Sequence, residues 1–249
     1  MASRHILSRL PHKSVYREGG RVIKLFDEMY TKADILNEAL NHARAEETGL
    51  RVPALLEVGI IDGKWAIQLE HVEGKTLAEL MKEHPGRHAE YLERFVDLQM
   101  DMFARRAPLM NKLKDKMRRK IEETDLDANV RYDLFTRLEG MPRHDKLCHG
   151  DYNPTNIIIA SDGTPYITDW AHATRGNASA DVARTYLWFH LEGDADTAER
   201  YLDLFCQKSG TAKAYVQSWL PLVAASQLAY NKPEEREFLL RWINVVDYE

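Results

Sequence analysis

Asp151, Asn156 and Asp169 lie within one stretch, Leu147 to Trp170, reading LCHGDYNPTNIIIASDGTPYITDW. A carboxylate and a carboxamide are hard oxygen donors of the kind magnesium takes when it bridges a protein to phosphate groups. A second carboxylate, left off the metal, can accept the proton of a hydroxyl. Together they are the parts of a phosphoryl-transfer site: a metal, a positioned nucleophile and a cation on the donor phosphates.

These residues need elements that bring them together. Ile157-Ile158-Ile159 is a β-branched run that suits a buried strand. Ser161-Asp162-Gly163-Thr164 is a turn signal, and Pro165 to Thr168 resumes the extended pattern. The hairpin so formed has Asp151 and Asn156 before its first strand and Asp169 after its second. Its open end therefore gathers three oxygen-bearing side chains. His149-Gly150-Asp151 with Asn156 also fits the catalytic-loop spacing H-x-D-x-x-x-x-N.

HGDYNPTNII followed by ITDW resembles the aminoglycoside phosphotransferase and choline kinase group, small-molecule relatives of the protein kinases. The resemblance implies an α+β, two-lobed protein-kinase-like fold. Residues 1–73 would be a nucleotide-binding lobe of a small antiparallel sheet and one helix. Residues 74–249 would be a mainly helical lobe with the catalytic hairpin, and the nucleotide would lie between the lobes. It implies ATP with Mg2+ as donor and a small-molecule hydroxyl as acceptor. Asp151 would orient and partly deprotonate that hydroxyl, while Asn156 and Asp169 hold the metal. Lys24 would hold the donor α- and β-phosphates, with Glu38 as its partner and Glu46 in reserve. Main-chain groups from Glu70 to Val72 would meet the adenine. Asp181 would hydrogen-bond the catalytic-loop backbone, and His149 would brace the same loop rather than move protons.

The rest of the chain supports this layout. Ser14–Arg17 and Val22–Phe26 read as strands joined at Gly19-Gly20, a hairpin signal. By period two, Val22, Lys24 and Phe26 share one strand face. An ammonium on such a face needs an anionic partner. The spacing predicts a helix over 32–47 with Ile35, Leu36, Ala39, Leu40 and Ala43 as its apolar stripe, which leaves Glu38 off the stripe. Strands are expected from Val52 to Ile61 and from Trp65 to His71, and a helix near Leu77 capped by Thr76 with Glu79. Beyond that the pattern is helical, and Ser179 is expected to cap the helix that carries Asp181. The basic run Lys112–Lys120 reads as a solvated helix face, with a phosphate-facing role as the alternative.

A net charge of −5 argues against a general nucleic-acid surface. Two widely separated cysteines give no disulfide framework, and no apolar run approaches the roughly 20 residues of a membrane helix. Together these suggest a cytoplasmic protein without a membrane partner; oligomeric state is left open. Some features depart from the resembled family. The segment expected to cover the phosphates, between Leu7 and Tyr16, has no glycine, so Pro11, His12, Lys13 and Ser14 would do that work and the choice of ATP or GTP stays open. Trp170-Ala171 follows Asp169, and no A-P-E follows, which argues against a protein kinase. Glu192, Asp194, Asp196 and Glu199, or the terminal Glu249, are candidates to receive a cationic acceptor, though a solvated cluster accounts for the first four equally well. The competing function is a nucleotide-binding regulatory protein without turnover.

Overall fold

The computed structural model describes residues 4–243; Glu249 lies outside them. In chain order the elements are β1 (His5–Leu10), β2 (Lys13–Glu18), β3 (Arg21–Phe26), α1 (Lys32–Glu46), β4 (Leu55–Ile61), β5 (Lys64–Glu70), β6 (Gly74–Thr76) and α2 (Leu77–Glu83). Then come α3 (His88–Ala104), α4 (Leu113–Glu122), α5 (Ala128–Gly140), β7 (Lys146–Cys148), β8 (Ile157–Ala160) and β9 (Pro165–Ile167). The chain continues with β10 (Thr174–Gly176), α6 (Ala178–Leu191), α7 (Ala195–Ser209), α8 (Lys213–Gln217), α9 (Leu220–Leu228) and α10 (Pro233–Ile243).

The chain forms two compact units. One holds residues 1–85 and 154–172, the other 86–153 and 173–249. The first contains an antiparallel sheet in the order β1-β2-β3-β5-β4. Alternation along β3 and β5 sends Phe26, Ile67 and Leu69 onto Ile35 and Ala39 of α1, and Ile23 and Ala66 to the opposite side with Tyr16. The hairpin β8–β9 belongs to this same unit, because β6 pairs with β8 to make a second sheet, β6-β8-β9. Gly74 makes that pairing close: a Cβ there would sit 2.3 Å from the Ile159 carbonyl oxygen. Thr76 and Glu79 form the expected capping box at the start of α2.

Three local expectations are corrected. The segment 7–16 is mostly strand, β1 and β2, turning at Pro11–His12. The side of α1 that is buried carries Ile35, Glu38, Ala39, Asn41, His42 and Ala45, whereas Leu36 and Leu40 are exposed. Burying Glu38 is favourable here only because it has a cationic partner. Helix α6 is capped by Asn177, whose side chain accepts from the Ser179 amide at 2.9 Å; Ser179 lies inside the helix.

The second unit is mainly helical. Phe95, Tyr152, Phe189 and Tyr201 form an aromatic centre, with Phe95 stacked on Tyr152 at 4.4 Å. Both cysteines are free thiols, and burial pushes the Cys148 thiol up. No helix among the described residues is long and apolar enough to cross a membrane.

Candidate active site

In the first unit, Lys24 is the centre. It extends from β3 toward α1, and its Nζ donates to Glu38 Oε1 at 2.7 Å and to Asp169 Oδ1 at 2.8 Å. Both Lys24 and Glu38 are buried. Desolvation alone would lower the Lys24 pKa, but Asp169 and Glu38 outweigh it and raise it. Desolvation likewise works against the Asp169 carboxylate, yet Lys24 and Lys13 hold it well below the usual carboxylate range. Lys13 Nζ stands 3.8 Å from Asp169 Oδ2. The Pro11–His12 turn that delivers Lys13 is tied to the end of β3: the Asp27 amide donates to the His12 carbonyl at 3.1 Å.

Asn156 and Asp169 meet at the open end of β8–β9. Ile157 pairs with Ile167, and one step outward the Thr168 amide and hydroxyl both donate to the Asn156 carbonyl, at 2.9 and 3.1 Å. Asp169 follows directly, with a positive φ of 61°. This backbone turn separates it from the strand direction and aims it toward Lys24. Among the described residues no group of three or more His, Cys, Asp or Glu could hold a metal. One ionised carboxylate beside one carboxamide fits a hard cation that takes its other oxygens from phosphate and water. Glu70 ends β5, where its amide donates to the Ala54 carbonyl at 2.8 Å and its carboxylate accepts from the Ala54 amide. Val72 follows in the irregular link to β6. Glu46, the reserve partner for Lys24, instead accepts from the Leu55 amide at 3.1 Å.

In the second unit, the loop before Asp151 is built on buried bonds. Asp181 accepts from the Gly150 amide at 2.6 Å and the His149 amide at 3.3 Å. Its own pKa is raised by burial, against the pull of His149 and the two amides. His149 is fully buried, and its Nδ1 accepts from the Asp151 amide at 3.2 Å. Gly150 takes a φ of 81°, a conformation that glycine adopts without steric penalty. Tyr152 fixes the other side: its hydroxyl donates to the Phe95 carbonyl, and its carbonyl accepts from Thr185. Asp151 itself remains partly exposed.

Three further residues surround Asp151 that the sequence reading did not find. Arg184 Nη2 donates to Asp151 Oδ1 at 3.0 Å, while its buried Nη1 has no hydrogen-bond partner among the described residues. The only available signal was its position one helical turn after Asp181, on the same face. Lys116, from the basic run, lies within electrostatic reach of Asp151 and Asp181; burial with Lys120 and Arg119 pushes its pKa down to about 7. Tyr230, itself partly exposed, lies within electrostatic reach of Asp151 and Arg184, and desolvation of its hydroxyl pushes it up to about 12. In the acidic cluster offered for a cationic acceptor or, alternatively, as a solvated face, two residues have partners of their own: Asp194 caps α7 and Glu199 pairs with Lys213 and Tyr186.

Solved structures show that this architecture is a protein-kinase-like fold. A thermostable mutant of aminoglycoside phosphotransferase APH(4)-Ia, in a ternary complex with ADP and hygromycin B, is similar to the chain with a TM-score of 0.70 at 14% identity, covering 96% of this chain and 90% of that one. A choline/ethanolamine kinase family protein from Mesorhizobium loti is similar with a TM-score of 0.62 at 17% identity, covering 100% and 83%. An aminoglycoside-3'-phosphotransferase of type VIII gives a TM-score of 0.64 at 17% identity, covering 92% and 93%. At these identities the likeness is one of fold. No curated protein sequence matches significantly. The chain itself belongs to the phosphotransferase enzyme family, whose model matches residues 12–219.

Proposed function

We propose that this protein transfers the γ-phosphate of ATP, with magnesium, to a hydroxyl of a small molecule. The observation that carries the reading is Lys24, held between Glu38 and Asp169 at 2.7 and 2.8 Å, the latter 145 positions away in sequence. A lysine so placed is fixed and charged, ready to neutralise donor phosphates. Asn156 and Asp169 would hold the metal, which supplies positive charge against the β- and γ-phosphates. The backbone from Glu70 to Val72 would receive the base. Asp151 would accept the hydroxyl proton, and Asp181 and His149 keep its loop in shape. Arg184, which donates to Oδ1 of Asp151 at 3.0 Å, would help orient the carboxylate toward the acceptor.

The solved structures of similar fold include complexes with ADP, AMP-PNP and AMP, which supports an adenine nucleotide as donor. The glycine-free Pro11–His12 turn leaves Lys13 as the added phosphate contact, and GTP remains an alternative donor. The acceptor falls in the class of aminoglycosides, amino alcohols or sugars. The test is ADP release from Mg-ATP over a panel of those acceptors, beside Asp151→Asn. Acceptor-dependent release that is lost in the variant supports the reading. Mg-ATP binding without release for any acceptor would favour a nucleotide-binding regulatory protein, for which the glycine-free turn is the supporting feature. Transfer to a protein substrate instead of any small acceptor would point to a protein kinase.

A further inference from the structure

Residues of the basic helix α4 other than Lys116 also line a pocket. A surface pocket of about 290 Å³ opens where α4 meets β10 and the segment after α5. Lys112, Lys114, Arg118, Arg143 and Arg175 line it against three carboxylates, Asp115, Glu139 and Asp145. Two of those carboxylates are already engaged: Glu139 with Arg118 at 2.6 Å and Asp145 with Arg175 at 2.8 Å. Lys112 and Arg143 have no ion-pair partner among the described residues. Lys114 donates to the Glu139 main-chain carbonyl at 3.0 Å, and its pKa is lowered by burial, with Arg143 adding to the effect.

Two buried donors also belong to residues that line the pocket. Trp219 lines the pocket and is fully buried, and among the described residues its indole Nε1 has no hydrogen-bond partner. The same holds for the buried Nε of Arg175. Buried donors without acceptors are uncommon and costly. The pocket exists because Gly176 lets α4 approach β10: a Cβ there would lie 2.4 Å from Leu113 Cβ.

We infer that this pocket is a binding site for a phosphate-type oxyanion, carried by a small molecule or free in solution, with Lys112, Lys114 and Arg143 as its cationic wall and Trp219 and Arg175 as neutral and charged donors. An oxyanion of this kind has enough acceptor atoms to satisfy several donors at once. The site lies entirely in the second unit, and its residues are separate from Asp151, Arg184 and Lys24.

The experiment is calorimetric titration of the whole protein with inorganic phosphate and with pyrophosphate at fixed ionic strength. The variants are Lys112→Gln with Arg143→Gln together, and Asp115→Asn alone. Both cationic side chains are exposed, so the double variant should fold, and its melting temperature without anion checks this. Wild type should bind saturably, the double variant should bind at least about tenfold more weakly, and Asp115→Asn should bind more tightly. The Trp219 indole N–H resonance, assigned from Trp219→Phe, should move on titration of the wild type. No saturable binding, or binding in the double variant equal to wild type, would overturn the proposal, since the second result would place the anion elsewhere. An unmoved Trp219 resonance at saturation would also overturn it.

Discussion

Two ion pairs stand at the two halves of the candidate machinery, and they are built differently. Lys24 is buried and touches two carboxylates, so both of its neighbours lose charge balance if it goes. Arg184 meets one partly exposed carboxylate and keeps a spare buried N–H. The first arrangement is closed: Lys24 has two carboxylate partners, and Asp169 has a second cation, Lys13, at 3.8 Å. The second is more open: Arg184 donates to Asp151, and Lys116 lies within electrostatic reach of Asp151 and Asp181. A closed pair suits holding a ligand group in one place. An open pair suits a carboxylate that must release one contact and make another during a reaction.

The largest expected effect separates these roles. Asp151→Asn should lower acceptor-dependent ADP release about 10²- to 10⁴-fold while Mg-ATP still shifts the melting temperature. An unchanged rate would remove Asp151 from the chemistry. Next, Lys24→Met leaves the buried Glu38 without its cation beside the partly exposed Asp169, and should cost about 3–5 kcal/mol in urea unfolding, with loss of nucleotide binding. Arg184→Met, at the open pair, should cost roughly 1–2 kcal/mol in the same experiment. If the two variants lose equal stability, the contrast between closed and open pairs does not hold.

The smallest effect is in pH dependence. The folded pKa of Asp169 is depressed, so its contribution is present above the ordinary carboxylate range and is lost only as pH falls through the lowered value. The folded pKa of Lys24 is raised, so its contribution is present below the ordinary lysine range and is lost as pH rises through the raised value. Between those ranges the closed pair contributes a constant amount. Lys116 behaves in the opposite sense. With its folded pKa down at about 7, the unfolded chain binds more protons above that point, so stability rises with pH from about 7 toward the ordinary lysine value. The difference in melting temperature between wild type and Lys116→Gln, followed from pH 6 upward, should grow in favour of wild type in that window. A flat difference would show that Lys116 keeps an ordinary pKa.

How much of this was legible depended on the kind of signal. Lys24 was found because period two put a charge on an apolar strand face, and the hairpin was found because its isoleucine run and its turn are local patterns. Glu38 was harder: Leu36 and Leu40 pulled the helical stripe toward a face that the fold leaves exposed. The helix is instead oriented by Ile35 and Ala39 against the sheet and by the Lys24 ion pair. β1 was missed because all six of its residues are exposed and its polar and apolar residues do not mark a buried face. Arg184 was missed because its partner is 33 positions away, and nothing local marks an arginine that will meet an aspartate across the fold. Lys116 was read as solvated since a run of basic residues is usually so. Its altered state comes from burial and from its neighbours.

The discontinuity of the first unit bears on how the protein is made. Lys24 and Asp169 are separated by 145 positions, so a ribosome completes Lys24 well before its second carboxylate exists. At ordinary elongation rates that gap lasts roughly 7 to 30 s. During it the nascent sheet has only Glu38 to neutralise the lysine, and β8 and β9 are not yet there to pair with β6. The N-terminal sheet of this protein therefore reaches its final electrostatic balance late, after much of the helical unit has been synthesised. A chain released before residue 169 should keep Lys24 with half of its anionic partners.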